Sequence, residues 1–203
     1  QGFDTSASHT AYVDALNSLR VLRIIKDKHK ENWEKFIKTS TKSSVETILT
    51  NEGIYSIFEN VKGRNMMYLV CTLHPAHCFH PSYASWGYLW DLRRDPEPFL
   101  NMSVNELKAN LKKISPKATR VIKTNKAPIV LDKKFALKEK AYSDLDLETI
   151  KKRAELIRSS EKFCQNIQII NREAAEEKAQ TKTQEDLLPE ETLYEKFIPN
   201  KDT

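Results

Sequence analysis

The stretch that decides the fold is Ile54-Tyr-Ser-Ile-Phe-Glu-Asn-Val61, then Lys62-Gly63-Arg64-Asn65, then Met66-Met-Tyr-Leu-Val-Cys-Thr-Leu73. Both outer blocks have strand length and are rich in β-branched and aromatic residues, and the middle block supplies turn chemistry. The second strand is nearly all apolar, the pattern of a strand covered on both faces, so it is expected near the centre of a sheet.

Toward the C-terminus, Tyr83 to Leu92 reads as a third strand that sets Trp86, Tyr88 and Trp90 on one face. Pro96 and Pro98 end it. Ser103-Val-Asn-Glu106 is a capping box that opens a helix through Ile114. Thr119 to Lys123 and Ala127 to Leu131 read as two further strands. Toward the N-terminus, Tyr12, Ala15, Leu16, Leu19, Leu22 and Ile25 recur at helical spacing between His9 and Lys30, with Ser6 and Ser8 as helix-start residues. Trp33, Phe36 and Ile37 continue a helical pattern after a break, and Val45, Ile48 and Leu49 support a short third helix.

After the sheet, Leu147, Ile150, Ala154 and Ile157, then Phe163, Ile167 and Ile170, mark trailing helices. Past Arg172 no apolar stripe continues, which reads as a solvated helix or a linker. Leu193-Tyr194 and Phe197-Ile198 are apolar pairs in that charged setting, expected to dock on the protein's own body. The fold class is α+β: a helical lead-in, a small antiparallel β-sheet with an inserted helix, then trailing helices. Such a sheet is compatible with an SH3-like barrel, though periodicity alone does not separate that from other α+β arrangements.

Composition sets outer bounds. Of the 203 residues, 39% are hydrophobic and 30% charged, which allows a core but predicts much solvated surface. No apolar run approaches the ~20 residues of a membrane span. No secretory signal pattern opens the chain, so the cytoplasm is the expected compartment. Three cysteines, an odd number without framework spacing, agree with a reducing environment. The +5 net charge is unevenly spread. From Glu106 to Lys140, ten lysines and one arginine face three acidic residues; from Arg172 onward, nine acidic residues face five basic ones. A basic middle suits an anionic partner, although lysines that serve only solubility would look the same.

Three constellations bear on chemistry. The first is His9-x-x-x-x-Asp14. On a regular helix five residues turn about 500°, leaving the two side chains about 140° apart, so they converge only if His9 sits on the loop before the helix. Histidine as base and a carboxylate as ligand would suit metal-dependent phosphodiester hydrolysis; a helix-start histidine and a surface carboxylate are the ordinary alternative. The second is Cys71, His74, His77, Cys78 and His80, which offers zinc donors, but in a spacing that fits no ordinary finger or ribbon. His74-Pro75 and His80-Pro81 read equally as loop residues. The third combines Arg64, Arg93, Arg94, Arg120, Lys123 and Lys126 with Trp86, Tyr88 and Trp90. The cations suit phosphates, and the aromatics serve either as stacking faces or as the core of the sheet.

Several segments together resemble bacterial exodeoxyribonuclease I. Ser8-His9-Thr-Ala-Tyr-Val-Asp14-Ala15 resembles that family's last exonuclease motif. His74-Pro75, Trp90-Asp-Leu-Arg-Arg-Asp-Pro-Glu-Pro98, Met102-Ser-Val-Asn-Glu-Leu107 and Ile122-Lys-Thr-Asn-Lys-Ala-Pro-Ile129 follow in the family's order, so the resemblance runs from about Ser8 to Arg158. It implies a DEDD-type 3′→5′ exonuclease acting on single-stranded DNA with two divalent ions, normally Mg2+. His9 would be the catalytic base and Asp14 the last metal carboxylate. The family's other acidic motifs are expected upstream, outside this chain, so the chain alone is expected to be inactive.

The resemblance also implies a division of the chain. Residues 1–50 would close an exonuclease domain, 51–132 form the SH3-like domain and 133–172 start a helical domain, with 173–203 a charged linker and docking tail. Arg64, Arg93, Arg120, Lys123 and Lys126 would contact the DNA. Lys138 and Arg158 would meet the acidic tail of single-stranded DNA-binding protein, arginine being suited to a terminal carboxylate. The alternatives are a non-catalytic module that binds single-stranded DNA or that tail, and a zinc-stabilised module.

Overall fold

The computed structural model describes residues 10–51, 53–61, 63–81 and 83–181. At its centre is the hairpin of β1 (Ile54–Val61) and β2 (Arg64–Thr72), paired antiparallel from Ile54↔Cys71 to Val61↔Arg64. The tip is tighter than the four-residue turn expected. Gly63 takes φ +78°, a conformation costly for any side chain bearing a Cβ. Asn60 braces it, accepting from Gly63 N at 3.1 Å and donating to Asn65 at 3.0 Å.

β3 (Trp86–Asp91), β4 (Thr119–Lys123) and β5 (Ile129–Asp132) complete a five-stranded antiparallel sheet in the order β4-β3-β2-β1-β5, with β2 central as expected. β3 starts later than its aromatic pattern suggests, because Trp86 N donates to Tyr83 O at 2.8 Å and closes a turn. β5 also starts late. Thr124–Lys126 form a 3-10 turn and Ala127 sits in the left-handed region at φ 44°.

That short connection determines the sheet's shape. In a flat sheet the two edges would lie about 19 Å apart, four spacings of ~4.8 Å. A coiled link from Lys123 to Ile129 does not span that distance. The sheet therefore curls until β4 and β5 face each other, unpaired, across a cavity of about 210 Å³. The result is an open, SH3-like partial barrel.

Three helices lead in: α1 (Ala11–Lys28), α2 (Lys30–Lys38) and α3 (Lys42–Asn51). The helix-start residue of α1 is Thr10, whose Oγ1 accepts from Val13 N at 3.4 Å, rather than Ser6 or Ser8, which lie outside the described residues. α4 (Val104–Lys113) carries the capping box: Glu106 accepts from Ser103 N at 2.9 Å and Ser103 accepts from Glu106 N at 3.4 Å. α5 (Leu147–Ser159) is capped by Asp146, which accepts from Thr149 N at 2.6 Å. α6 (Glu161–Thr181) carries helix well past Arg172. Lys108 of α4 holds it there, 2.8 Å from Glu173 and 3.4 Å from Glu177.

Two cores flank the sheet. The concave one joins Val45 and Leu49 of α3 to Tyr55, Ile57, Tyr68, Val70, Leu89, Ile122 and Val130. Its tightest point is Gly87, where an added Cβ would come within 3.0 Å of both Leu49 and Ile122. The convex core joins Leu69, Cys71, Tyr88 and Trp90 to Leu107, Tyr142, Ile157, Phe163 and Ile167 from the following elements. Coverage of both faces accounts for the apolar run of β2. Among the described residues, no helix is long and apolar enough to cross a membrane.

Candidate nucleic-acid interface

The open seam of the barrel is where basic and apolar side chains meet. Phe58 and Glu59 of β1 and Ile129 of β5 on one side and Val121 and Lys123 of β4 on the other line the cavity, with Lys126 and Pro128 from the link. Val121 and Ile129 are exposed, an unusual condition for apolar residues on facing strand edges. Lys123 pairs across the sheet with Trp86 and places its Nζ 5.1 Å from the indole centroid. Lys126 extends from the 3-10 turn. Thr124 fixes that turn, its N and Oγ1 both directed at Ser85 O, at 2.8 and 3.2 Å.

The predicted cations divide into free and committed groups. Arg64, Lys123 and Lys126 are exposed, as is Lys138 at the end of the short turn Ala136–Lys138. Arg93 is half-buried and donates to Asp91 at 2.7 Å while lying 5.7 Å from the Tyr142 ring. Arg120 is more deeply engaged. It lies 3.1 Å over the Tyr68 ring and pairs with Glu59 at 3.0 Å and Asp91 at 3.7 Å. Asp91 is fully buried and also accepts from Tyr142 Oη at 2.9 Å, and Tyr142 accepts from Leu69 N at 2.9 Å. Burial raises the Tyr142 phenol far above its usual range, so its hydroxyl stays a donor. Arg93 and Arg120 thus neutralise a buried carboxylate that would otherwise be costly.

Arg158 is turned inward as well, donating to Thr72 Oγ1 at 2.8 Å and to Thr50 O at 3.4 Å. Asp14 is exposed on the first turn of α1, where its carbonyl accepts from Ser18 Oγ at 2.8 Å. His9 lies outside the described residues. Among the described residues, no three His, Cys, Asp or Glu side chains are grouped to hold a metal ion. Asp14 by itself does not fit a two-ion centre, which needs several oxygens in near-octahedral geometry.

The cysteine–histidine segment is built as a pinned loop. His74 Nδ1 accepts from Ala76 N at 3.2 Å, and His74 N donates to Cys164 Sγ of α6 at 3.2 Å. His77 lies 3.3 Å from Gln168 and 3.4 Å from Glu161. His80 Nδ1 accepts from Tyr83 N at 3.1 Å. Burial holds the His80 imidazolium below its usual range and pushes the Cys78 thiol up and the Cys164 thiol up to about 11. All three cysteines are free and buried, and protonated thiols are poor ligands.

Two features escaped the sequence. Glu59, the countercharge of Arg120, is 61 residues away in the chain, and nothing local marks the pair. Tyr83 sits in a turn rather than on β3. Its ring stacks on Trp86 with centroids 4.9 Å apart and an interplanar angle of 25°, and it remains 44% exposed. The polar, turn-forming run Pro81-Ser82-Tyr83-Ala84-Ser85 was the available signal.

A family model described as the exonuclease I SH3-like domain matches residues 62–173. No curated protein matches the sequence. Among solved structures, a moderately thermophilic exonuclease I from Methylocaldum szegediense superposes with a TM-score of 0.60 at 16% identity, covering 80% of this chain and 37% of that one. Escherichia coli exonuclease I in complex with a dA16 oligonucleotide gives 0.62 at 15%, covering 98% and 43%. An ExoI/SSB-Ct complex gives 0.58 at 14%, covering 80% and 37%. At these identities the likeness is one of fold. The chain spans about two fifths of the length of those structures.

Proposed function

This chain belongs to the exonuclease I SH3-like domain family, and from that premise we propose that it forms the DNA-cradling portion of a 3′→5′ single-stranded DNA exonuclease of repair and recombination. The observation that carries this reading is the basic-lipped seam between β4 and β5, which lies inside the matched region. Its exposed lysines suit phosphates, and its apolar lining suits the flat faces of unpaired bases.

In this reading Arg64, Lys123 and Lys126 take the phosphates. Arg93 and Arg120 contribute mainly by holding the sheet beneath them, since both already neutralise Asp91. Residues 1–50 close an exonuclease domain, 51–132 form the SH3-like domain, 133–172 begin a helical domain, and 173–203 follow as a charged tail. His9 is the base and Asp14 one ligand of a Mg2+ pair. One carboxylate does not hold two such ions, so residues 1–203 by themselves are expected to bind DNA without degrading it. Its three unpaired thiols agree with a cytoplasmic setting.

A protein-tail reading is favoured by Arg158, whose guanidinium is fixed by Thr72 and Thr50 before any ligand arrives. Such pre-ordering lowers the entropy cost of gripping a terminal carboxylate, with Lys138 as a second cation.

One experiment separates these readings: 3′ exonuclease activity and binding, measured on the same labelled single strand with Mg2+. Expected is salt-sensitive binding without degradation, with Lys123→Ala and Lys126→Ala each lowering the slope of log affinity against log salt by about 0.7. Mg2+-dependent degradation that disappears in His9→Ala would refute the view that the chain is silent alone. Absence of both activities, with binding of an acidic peptide ending in phenylalanine, would move the function to tail recognition.

A further inference from the structure

The proposed function leaves open which side chains hold a base, and the Tyr83 turn supplies a candidate. Tyr83 is constrained from both sides of its backbone. Its N donates to His80 Nδ1 at 3.1 Å, and its carbonyl accepts from Trp86 N at 2.8 Å. The ring is therefore laid on Trp86 before any ligand arrives. Beneath it, His80 lies 4.7 Å from Tyr83, 5.8 Å from Trp86 and 6.0 Å from Tyr88, so the pair rests on buried aromatic packing. A rigid, nearly parallel aromatic pair whose outer residue is 44% exposed is poorly explained by core packing alone. It is suited to receiving another flat ring, because little side-chain entropy remains to be lost.

The charge beside the pair selects the kind of flat ring. Lys123 Nζ lies 5.1 Å from the Trp86 centroid, and Lys126 lines the same seam. The acidic groups on that side each have a countercharge: Glu46, 3.3 Å from Thr124 Oγ1, pairs with Lys42 at 3.6 Å, Glu59 of the seam pairs with Arg120 at 3.0 Å, and Glu176, whose charge reaches His80, pairs with Arg172 at 3.7 Å. An aromatic ring attached to an anionic backbone satisfies both features at once. Bases within a duplex have their faces covered, so the occupant must be unpaired.

We propose that Tyr83, stacked on Trp86, is a platform for one unpaired base of a DNA strand, with Lys123 taking the adjacent phosphate. This rests on the reading that the chain binds single-stranded DNA, and it assigns the stacking residues that the reading lacks. Tyr83 carries the base on its exposed face, Trp86 fixes the ring, and Lys123 and Lys126 orient the strand along the seam.

The test is a binding titration of the full chain with an oligothymidylate of about twelve nucleotides, beside a strand of equal length carrying abasic sugars. Wild type is expected to prefer the thymidylate by about 5- to 150-fold, the range that one stacked base supplies. Tyr83→Ala should lose that preference while holding the abasic strand as before, and Tyr83→Phe should keep it. Lys123→Ala should weaken both strands together. If Tyr83→Ala folds and binds thymidylate as tightly as wild type, the platform is wrong and the DNA reading survives. If wild type binds neither strand, both fall.

Discussion

α1 and α6 are both long, charged helices with an apolar face, and the structure treats them in opposite ways. α6 sinks Phe163, Cys164 and Ile167 into the convex core, each 1% exposed or less. α1 buries none of its residues; Tyr12, Leu19, Val21 and Leu22 all stand exposed. An amphipathic pattern thus states that a face exists without naming what covers it. α6 is covered because its first turns cross the outer face of β2 and β3, where Phe163 meets the Trp90 ring edge-on at 5.5 Å. Among the described residues, α1 has α2 as its chief neighbour. In the proposed function this is the surface of a helix that closes another domain.

The convex core is where α6 should respond most strongly to truncation. Phe163→Ala removes a fully buried ring from between Trp90 and the following helices, and is expected to cost about 3–5 kcal/mol. Denaturant unfolding would show it as a large fall in midpoint at unchanged slope. A cost below about 1 kcal/mol would mean that α6 is no more anchored than α1.

Much of this architecture was legible because it is written locally. The Ser103–Glu106 box, the strand length of β1 and the apolar run of β2 each follow from neighbours within a few residues. What was not legible depends on distant partners. Past Arg172 the sequence left solvated helix and linker both open, and one contact that accompanies the helix, Lys108 to Glu173, joins residues 65 apart. The fate of Arg120 rests on Glu59 and Tyr68, so a residue that read as a phosphate contact also serves as a neutralising strut. The aromatic stripe read as one face is divided in use. Tyr88 and Trp90 are core, while Trp86 at the end of the strand is only half-buried beneath Tyr83. The candidate catalytic pair was the least accessible part, since His9 lies outside the described residues and, among those residues, no group of three metal-ligating side chains includes Asp14.

A second test asks where the loosely packed region ends. The sequence groups α3 with α1 and α2, but Val45 and Leu49 are fully buried against the concave face. Gly87 is the contact point, with no room for a methyl group between Leu49 and Ile122. Gly87→Ala should therefore overpack the joint and cost about 1–3 kcal/mol. Adding Leu49→Ala should return part of that loss, because the two substitutions share one space. Full additivity of the two costs would show that α3 and β3 are not coupled there, and would return α3 to the lead-in.

The smallest expected effect is the sharpest statement about α1. Leu22→Ala deletes the same kind of apolar group as Ile167→Ala, yet Leu22 is 36% exposed and Ile167 only 1%. Burial lost on truncation sets the cost, so Ile167→Ala should lose about 2–5 kcal/mol. Leu22→Ala should stay within about 0.5 kcal/mol, since alanine's helix propensity offsets the little contact removed. Comparable losses at both positions would mean that the face of α1 is covered in solution within this polypeptide. A null result at Leu22 alone would leave that face open to a second body, as the proposed function expects of a helix that closes another domain.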